Sequence, residues 1–296
     1  MPFSSVRRSA VLALAAAAVL AVVSCSSGDD AASGSSGSPA SSSSTEGGTY
    51  LALGDSVPFG YRGGEANTEY QDAANFSGYP DAVGDELGLD VLNAACPGET
   101  TASFLDATAP SNGCENTPAL PAGFRTVYPL HVDYASAQQS QLDYAVQTLE
   151  ARDDVELVTL QIGANDAFRC QATTPDRCTT ELAGVVDTVG KNVATVLDAL
   201  RNGAGYDGTI VVVTYYSLDY ADATTTTGTQ LLNTALTNAA ATADAEVADA
   251  FAAFEPEAEA AGGSSIAAGL VLPGDVHPSE DGQRLLTDAV MSAVNG

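Results

Sequence analysis

Short runs of consecutive apolar residues alternate along this chain with longer segments whose apolar residues recur every three or four positions. The first pattern is typical of strands buried on both faces, and the second of amphipathic helices. The apolar runs predict five strands, at residues 50–54, 90–94, 155–162, 208–214 and 245–251. The periodic segments predict helices at residues 77–87, 136–151, 180–201 and 230–243, and a last helix after an N-cap at Ser279.

This alternation predicts an α/β fold in which helices cover both faces of a parallel sheet of about five strands. Residues 96–130 have no clear period and are rich in Gly, Pro and Asn. A plain connection of that length is uncommon in a compact domain, so we expect a functional loop or one tied by disulfides.

The first 48 residues do not have the composition of a folded domain. Two arginines precede an apolar stretch at residues 10–23, which predicts an export signal over residues 1–24. Val22-Val23-Ser24-Cys25 resembles the lipobox of bacterial lipoproteins, in which cleavage precedes a cysteine that receives lipid. The alternatives are ordinary secretion, with Cys25 incidental, and an uncleaved anchor.

Residues 25–48 are dominated by Ser, Gly, Ala and Pro and are predicted to form a flexible linker. Residues 49–296 are long enough for a single sizeable core, and no other segment approaches the length of a membrane span. We therefore predict an exported protein that is anchored to the cell membrane by a lipid on Cys25, or secreted if Cys25 is not modified.

The chain is strongly acidic, with a formal charge of −28 that becomes −30 when the signal is removed with Arg7 and Arg8. Such a surface repels phosphate backbones, so we expect no nucleic-acid partner. It also disfavours broad electrostatic contact with anionic lipid. Solubility outside the cell is a sufficient explanation of the charge.

Besides Cys25, the chain contains four cysteines: Cys96, Cys114, Cys170 and Cys178. An even number in an exported chain predicts disulfides, and four cysteines permit three pairings. Pairing between neighbours, Cys96 with Cys114 and Cys170 with Cys178, closes the shortest loops and is the one we favour. A zinc site is the alternative, and it has less support because no C-x-x-C spacing occurs.

Candidate chemistry begins at the end of the first predicted strand, where Gly54 can adopt the backbone angles of a sharp exit. Ser56 follows at the carboxyl end of the strand, where open α/β sheets bind their ligands. A hydroxyl needs a base to become a nucleophile. Of the two histidines, His277 precedes the last helix and is predicted to pair with Ser56, whereas His131 matches no motif and is predicted to be a loop surface residue.

Four short motifs lie at predicted strand ends or in the loops beside them. They are Gly54-Asp55-Ser56, Cys96-Pro97-Gly98-Glu99-Thr100, Gly163-Ala164-Asn165-Asp166 and Asp275-Val276-His277-Pro278. Their order and spacing resemble the SGNH (GDSL) hydrolase superfamily over essentially everything from residue 49 onwards. The resemblance implies a three-layer flavodoxin-like fold and an esterase, lipase, thioesterase or carbohydrate deacetylase activity.

The resemblance also implies a role for each site residue. Ser56 would attack an ester carbonyl, with His277 as general base and then as acid to the leaving alcohol. The backbone N–H groups of Ser56 and Gly98 and the side-chain amide of Asn165 would form the oxyanion hole. This chemistry needs no cofactor.

One position departs from the family pattern. The family usually has an aspartate three residues before the histidine, where this chain has Gly274, and Asp275 is only two residues before His277. Either Asp275 or a backbone carbonyl near Gly274 accepts the imidazole Nδ1–H, and we favour Asp275. Asp55 and Asp166 are expected to hydrogen-bond the loops rather than touch substrate.

The loops that contain the four cysteines flank the predicted site. Apolar residues of the first loop favour an apolar acyl group: Phe104, Leu105, Leu120, Phe124, Val127 and Tyr128. We therefore predict a monomeric carboxylesterase or lipase of the cell envelope, acting on a small ester or on an acylated lipid or glycan. The alternatives are a carbohydrate O-deacetylase and a non-catalytic envelope lipoprotein of the same fold that binds glycan or lipid.

Overall fold

The structure is a computed structural model that describes residues 47–65, 68–114 and 123–296. The predicted export signal, Cys25 and nearly all of the predicted linker lie outside the described residues, as does Leu120. Within the described residues, one sheet contains five strands: β1 (Thr49–Gly54), β2 (Asp90–Asn93), β3 (Val155–Gln161), β4 (Thr209–Val213) and β5 (Glu246–Ala248).

The sheet is parallel throughout, with the strand order β2-β1-β3-β4-β5. This is the doubly wound order of flavodoxin-like folds, in which β2 lies on one side of β1 and the later strands lie on the other side, beginning with β3. The carboxyl ends of these two strands therefore border the crevice where such folds bind ligands. The predicted five-stranded parallel sheet is confirmed.

The described residues form ten α-helices, several of them short. They are α1 (Ser56–Phe59), α2 (Tyr79–Leu87), α3 (Thr101–Leu105), α4 (Phe124–Val127), α5 (Gln141–Ala151), α6 (Ala164–Thr173), α7 (Leu182–Asp198), α8 (Ala223–Ala241), α9 (Ala250–Ala260) and α10 (Glu280–Asn295).

The helices cover the sheet in two groups, one for each face. Helix α10 packs on α2, α9, β4 and β5, and α2 also packs on β2, whereas α3, α5, α7 and α8 form the other group. Strand β3 is buried along its whole length except at Glu156, as expected for a central strand covered on both faces. The fold is thus the predicted three-layer α/β sandwich.

Several stretches differ from the sequence prediction. Helix α5 begins five residues later than predicted, and α3 and α4 lie in residues 96–130, for which no helix is predicted. Helix α8 begins seven residues earlier than predicted, because Asp222 caps it by accepting the N–H groups of Thr224 and Thr225. The sequence predicts a loop where the structure has α6. The predicted strand at 245–251 is wrong beyond β5, since Asp249 caps the first turn of α9 there.

Within the described ranges, no helix combines the length and the apolar composition needed to cross a bilayer.

Candidate active site

The turn after β1 depends on Gly54. Its φ is 140°, and a Cβ added there would lie 2.0 Å from the carbonyl oxygen of Gln161 on β3, so a larger residue does not fit. The side chain of Gln141 holds both backbone groups of Gly54: its Oε1 accepts the N–H at 2.6 Å and its Nε2 donates to the carbonyl at 3.0 Å. Gln141 was not identified from the sequence, where it was one polar residue of a predicted amphipathic helix.

Asp55 anchors the same turn from inside the protein. Its carboxylate accepts the N–H of Val57 at 3.1 Å and the hydroxyl of Tyr215 at 2.6 Å. Burial raises the pKa of Asp55 to about 7, although these two hydrogen bonds oppose the increase. As predicted, Asp55 holds the loop.

The structure brings Ser56 and His277 together across 221 positions of sequence. The Ser56 Oγ lies 2.9 Å from His277 Nε2, and His277 Nδ1 lies 2.5 Å from Asp275 Oδ1. The three groups form a chain of hydroxyl, imidazole and carboxylate, an arrangement that can activate a serine. Of the two acceptors considered for Nδ1, the structure has the Asp275 carboxylate in contact with it.

Backbone N–H groups hold the Asp275 carboxylate in place. Val276 donates to Oδ1 at 2.7 Å, and Gly63, from the loop after α1, donates to Oδ2 at 2.8 Å. Burial raises the pKa of Asp275, but the His277 charge and these hydrogen bonds outweigh it, so the net shift is downwards. Gly63 was not identified as a site residue from the sequence, because nothing local marks its contact with a residue 212 positions away.

The imidazole of His277 is largely shielded from water. Burial lowers its pKa below the ordinary value of 6.5, and the nearby Asp275 carboxylate raises it again in part. The Tyr61 ring and the imidazole contact each other in a T-shaped arrangement, with the ring centroids 4.7 Å apart. A neutral imidazole that can accept the Ser56 proton is therefore favoured at neutral pH.

The predicted oxyanion donors Gly98 and Asn165 lie on the wall of the same cavity as Ser56. Gly98 has a φ of 85°, and a Cβ there would lie 2.5 Å from the carbonyl oxygen of Asn112. Asn165 is buried in the first turn of α6. The Asn112 side-chain amide donates to Asn165 Oδ1 at 3.0 Å, which leaves the Asn165 NH₂ group available to a substrate oxygen.

Asn112 and Gly98 belong to one loop that a disulfide closes. Cys96 is bonded to Cys114, and the backbone N–H of Asn112 donates to the Gly98 carbonyl at 2.7 Å. The same loop also binds α6, which carries Asn165, because the Asp166 carboxylate accepts the N–H and hydroxyl of Thr101. Asn112 was not identified from the sequence. The only signal was its position in a turn-forming Ser-Asn-Gly triplet between two cysteines.

The second disulfide joins Cys170 to Cys178, so the structure has the neighbour pairing favoured from the sequence. The zinc alternative would need these sulfurs as thiolates, and each is bonded to another sulfur.

A cavity of about 650 Å³ opens beside Ser56. Its apolar wall differs from the predicted one, because α7 supplies four aliphatic side chains, α8 supplies Leu232 and α6 supplies Phe168. Of the loop residues predicted to shape it, Phe124 lines the cavity, whereas Phe104 is buried in the main core and Val127 points to solvent. The apolar side chains contributed by α7 and α8 are Leu182, Val185, Val186, Val189 and Leu232.

His131 is a half-buried residue, not the loop surface residue predicted. Its Nε2 lies 3.0 Å from the Phe59 carbonyl oxygen, and its ring packs on the Phe59 ring at 4.5 Å. It supports an aromatic cluster beside the site: Phe59, Tyr61, Tyr70, Phe76, Phe124 and Tyr128.

The sequence from residue 52 to residue 285 matches the profile of the GDSL-like lipase/acylhydrolase family. No curated protein matches this chain. Among solved structures, a catalytic mutant of an acetylxylan esterase from Geobacillus stearothermophilus is similar in fold, with a TM-score of 0.55 and 17% identity over 84% of this chain and 95% of that chain. A candidate GDSL-like lipase from Parabacteroides merdae has a TM-score of 0.53 and 13% identity over 84% of this chain and 95% of that chain. At these identities, the similarity concerns the fold alone.

Proposed function

Since the chain belongs to the GDSL-like lipase/acylhydrolase family and is a hydrolase acting on ester bonds, we propose that Ser56 is its nucleophile and His277 its general base. The observation that carries this proposal is the contact of 2.9 Å between Ser56 Oγ and His277 Nε2. Asp275 would orient the imidazole by accepting its Nδ1–H. We propose a carboxylesterase or lipase, with a carbohydrate O-deacetylase as the alternative.

In the first half of the reaction, Ser56 Oγ attacks the ester carbonyl carbon while its proton passes to His277 Nε2. The carbonyl oxygen becomes an oxyanion that accepts hydrogen bonds from the N–H groups of Ser56 and Gly98 and from the Asn165 amide. The Asp275 carboxylate stabilises the imidazolium. Collapse of the intermediate breaks the bond to the alcohol oxygen, which takes the proton from Nε2, and an acyl-serine remains.

In the second half, water replaces the alcohol. His277 Nε2 accepts a proton from the water as the water oxygen attacks the acyl carbon, and the same three donors stabilise the second oxyanion. The bond to Ser56 Oγ then breaks, Oγ recovers the proton from Nε2, and the carboxylic acid leaves.

The walls of the cavity favour an apolar acyl chain. The leaving alcohol must lie beside His277, which protonates it and which the Tyr61 ring contacts. The side chains of Val189 and Leu232 lie close to Gly163, next to the oxyanion donor Asn165. We propose that the acyl chain extends between α7 and α8, where its burial is favourable by about 0.8 kcal/mol per methylene group.

Covalent labelling tests the nucleophile. A fluorophosphonate should label the protein at neutral pH, and Ser56→Ala should abolish the label, whereas Ser292→Ala, a matched change at an exposed position of α10, should leave it intact. Absence of labelling in the wild-type protein would contradict the proposal and favour the non-catalytic binding protein.

A substrate panel tests the acyl group. Chromogenic esters with acyl chains of two to twelve carbons should be hydrolysed with a kcat/KM that rises beyond acetate, because the chain gains apolar contacts along α7 and α8. A preference for acetylated sugars over all longer acyl esters would contradict the carboxylesterase assignment and favour the O-deacetylase.

We also propose that the enzyme acts outside the cytoplasm, tethered to the cell membrane by lipid on Cys25. The amino-terminal sequence and the two disulfides support this location. In a bacterial host, Cys25→Ser should move the protein from the membrane fraction to a soluble one. Equal membrane association of the two forms would refute the lipid anchor.

A further inference from the structure

The positively charged side chains of this chain are few, and one differs from the rest. Ten residues are lysine or arginine, of which two belong to the predicted export signal and eight are described. Seven of the eight form a hydrogen bond or an ion pair through their side chains: Arg62, Arg125, Arg152, Arg169, Lys191, Arg201 and Arg284. Among the described residues, the side chain of Arg177 has no such partner.

Among the described residues, no salt bridge joins Arg177 to Asp176, its neighbour in sequence. Asp176 uses its carboxylate to accept both the N–H and the hydroxyl of Thr180, at 3.0 and 2.5 Å. Arg177 itself has a φ of 54°, in the left-handed region that side chains rarely adopt. The Cys170–Cys178 disulfide and a hydrogen bond of 2.6 Å from the Cys178 N–H to Thr174 hold this turn.

Arg177 lies on the wall of the cavity that contains Ser56. Apart from tyrosines, the ionisable side chains on this wall are Asp55, Arg177 and His277. Asp55 is buried and already bonded to Tyr215, and His277 faces Ser56. The chain has a net charge of −28, but the charged side chain on this cavity wall that is not paired with another described residue is the positive Arg177.

We propose that Arg177 binds an anionic group of the substrate, a carboxylate or a phosphate carried on the ester that Ser56 attacks. This inference rests on the proposed esterase function and narrows its substrate class. A guanidinium presents planar donors that match the two oxygens of either anion. The surrounding acidic surface repels anions elsewhere, so this cation would determine where and in which orientation an anionic ester enters.

Matched pairs of esters test the inference, and they distinguish the source of the anion. In the alcohol half, 4-carboxyphenyl butyrate is compared with 4-carbamoylphenyl butyrate. In the acyl half, p-nitrophenyl hemiglutarate is compared with p-nitrophenyl valerate. For phosphate, a lysophosphatidylglycerol is compared with the monoacylglycerol of the same chain. For each pair, the quantity measured is the ratio of kcat/KM for the anionic ester to that for the neutral ester.

In at least one pair, Arg177→Gln should lower this ratio about two- to fivefold, the size expected for losing an ion pair of an exposed side chain. Arg177→Lys keeps the charge and should retain more of the ratio. Lys191→Gln removes one positive charge from α7, where Lys191 is paired with Asp187 and is not part of the cavity wall, and should leave the ratio unchanged.

The inference is overturned if Arg177→Gln changes the ratio in none of the three pairs, or if Lys191→Gln lowers it equally. Failure of the proposed function would look different, because the wild-type protein would then hydrolyse no ester of either kind and would not react with the fluorophosphonate.

Discussion

The hydrogen bond from Asn112 determines which atom of Asn165 is offered to a substrate. A side-chain amide has a donor end and an acceptor end, and only the donor end stabilises an oxyanion. Because the Asn112 amide donates to Asn165 Oδ1, the NH₂ group of Asn165 is the end left free. Asn112 thus acts through Asn165, as a positioning residue of the proposed oxyanion hole.

Replacement of Asn112 should reveal this role. Asn112→Asp puts an acceptor against Asn165 and should reverse its amide, so kcat should fall about a hundred- to a thousandfold, as for loss of an oxyanion donor. Asn112→Leu only removes the hydrogen bond that orients the Asn165 amide, so kcat should fall about tenfold. The KM should be nearly unchanged in both variants. Steady-state kinetics check this, and equal losses in the two variants would contradict amide reversal.

The contact between Asp275 and His277 leads to a second prediction at this scale. Asp275→Asn should lower kcat about a thousand- to ten-thousandfold, because an amide favours the wrong imidazole tautomer. Burial already lowers the His277 pKa, so the acid limb of the wild-type pH–rate profile should lie below pH 6.5. Loss of the Asp275 charge should move the limb to lower pH. Thermal unfolding serves as the control for folding, and a fall in kcat of less than tenfold would favour a dyad.

At the scale of elements, the site is held together where the closed loop between Cys96 and Cys114 meets α5 and α6. Glu99 is buried in this loop and is within hydrogen-bonding distance of Gln141, the α5 residue that holds Gly54. Asp166 of α6 binds Thr101 at the start of α3. The loop therefore links the turn that carries the proposed nucleophile, Ser56, to the proposed oxyanion hole.

Removing the two disulfides one at a time should show that both support stability and that the Cys96–Cys114 disulfide supports catalysis more. The Cys96→Ser/Cys114→Ser variant should lose about 3 kcal/mol of unfolding free energy, and its kcat should fall at least tenfold, because Gly98 and Asn112 lie inside the opened loop. The Cys170→Ser/Cys178→Ser variant is the matched control and should lose similar stability but less turnover. Chemical denaturation and kinetics of both variants test this, and an equal fall in turnover would contradict it.

For the whole molecule, the acidic composition affects stability through two buried acids as well as through the surface. Burial raises the pKa of both Asp55 and Glu99 to about 7, from ordinary values of 3.8 and 4.5. The folded state therefore holds these protons more tightly than the unfolded state. The resulting stabilisation is complete below the ordinary values and is lost as the pH rises through 7.

The unfolding temperature should accordingly be higher at pH 5 than at pH 8. Glu99→Gln should reduce the difference between the unfolding free energies at pH 5 and pH 8 by about 2–3 kcal/mol. Glu150→Gln removes one exposed charge from α5 and controls for repulsion among surface carboxylates. Calorimetry across this range provides the measurement, and an identical pH dependence in both variants would show that Glu99 is not the source.

Much of the fold follows from local patterns, and the exceptions have physical reasons. Strands buried on both faces must be apolar throughout, so β1, β3 and β4 were predicted close to their observed bounds. The start of α8 is rich in threonine, which has a low helix propensity, and the Asp222 cap overrides that preference. Helix α9 follows β5 after a single residue, so its first two residues, Ala250 and Phe251, were assigned to the strand.

The sequence by itself determined the order of the five strands, the four motifs and the candidates Ser56 and His277, because each of these is recognised from a few neighbouring residues. Only the tertiary structure decided that a carboxylate faces His277 Nδ1, which end of the Asn165 amide is free, and which helices line the cavity. Those features depend on contacts across long stretches of sequence, such as Gly63 with Asp275 and Asn112 with Asn165. No local pattern specifies such contacts, since they arise only when the packed sheet brings distant loops to one edge.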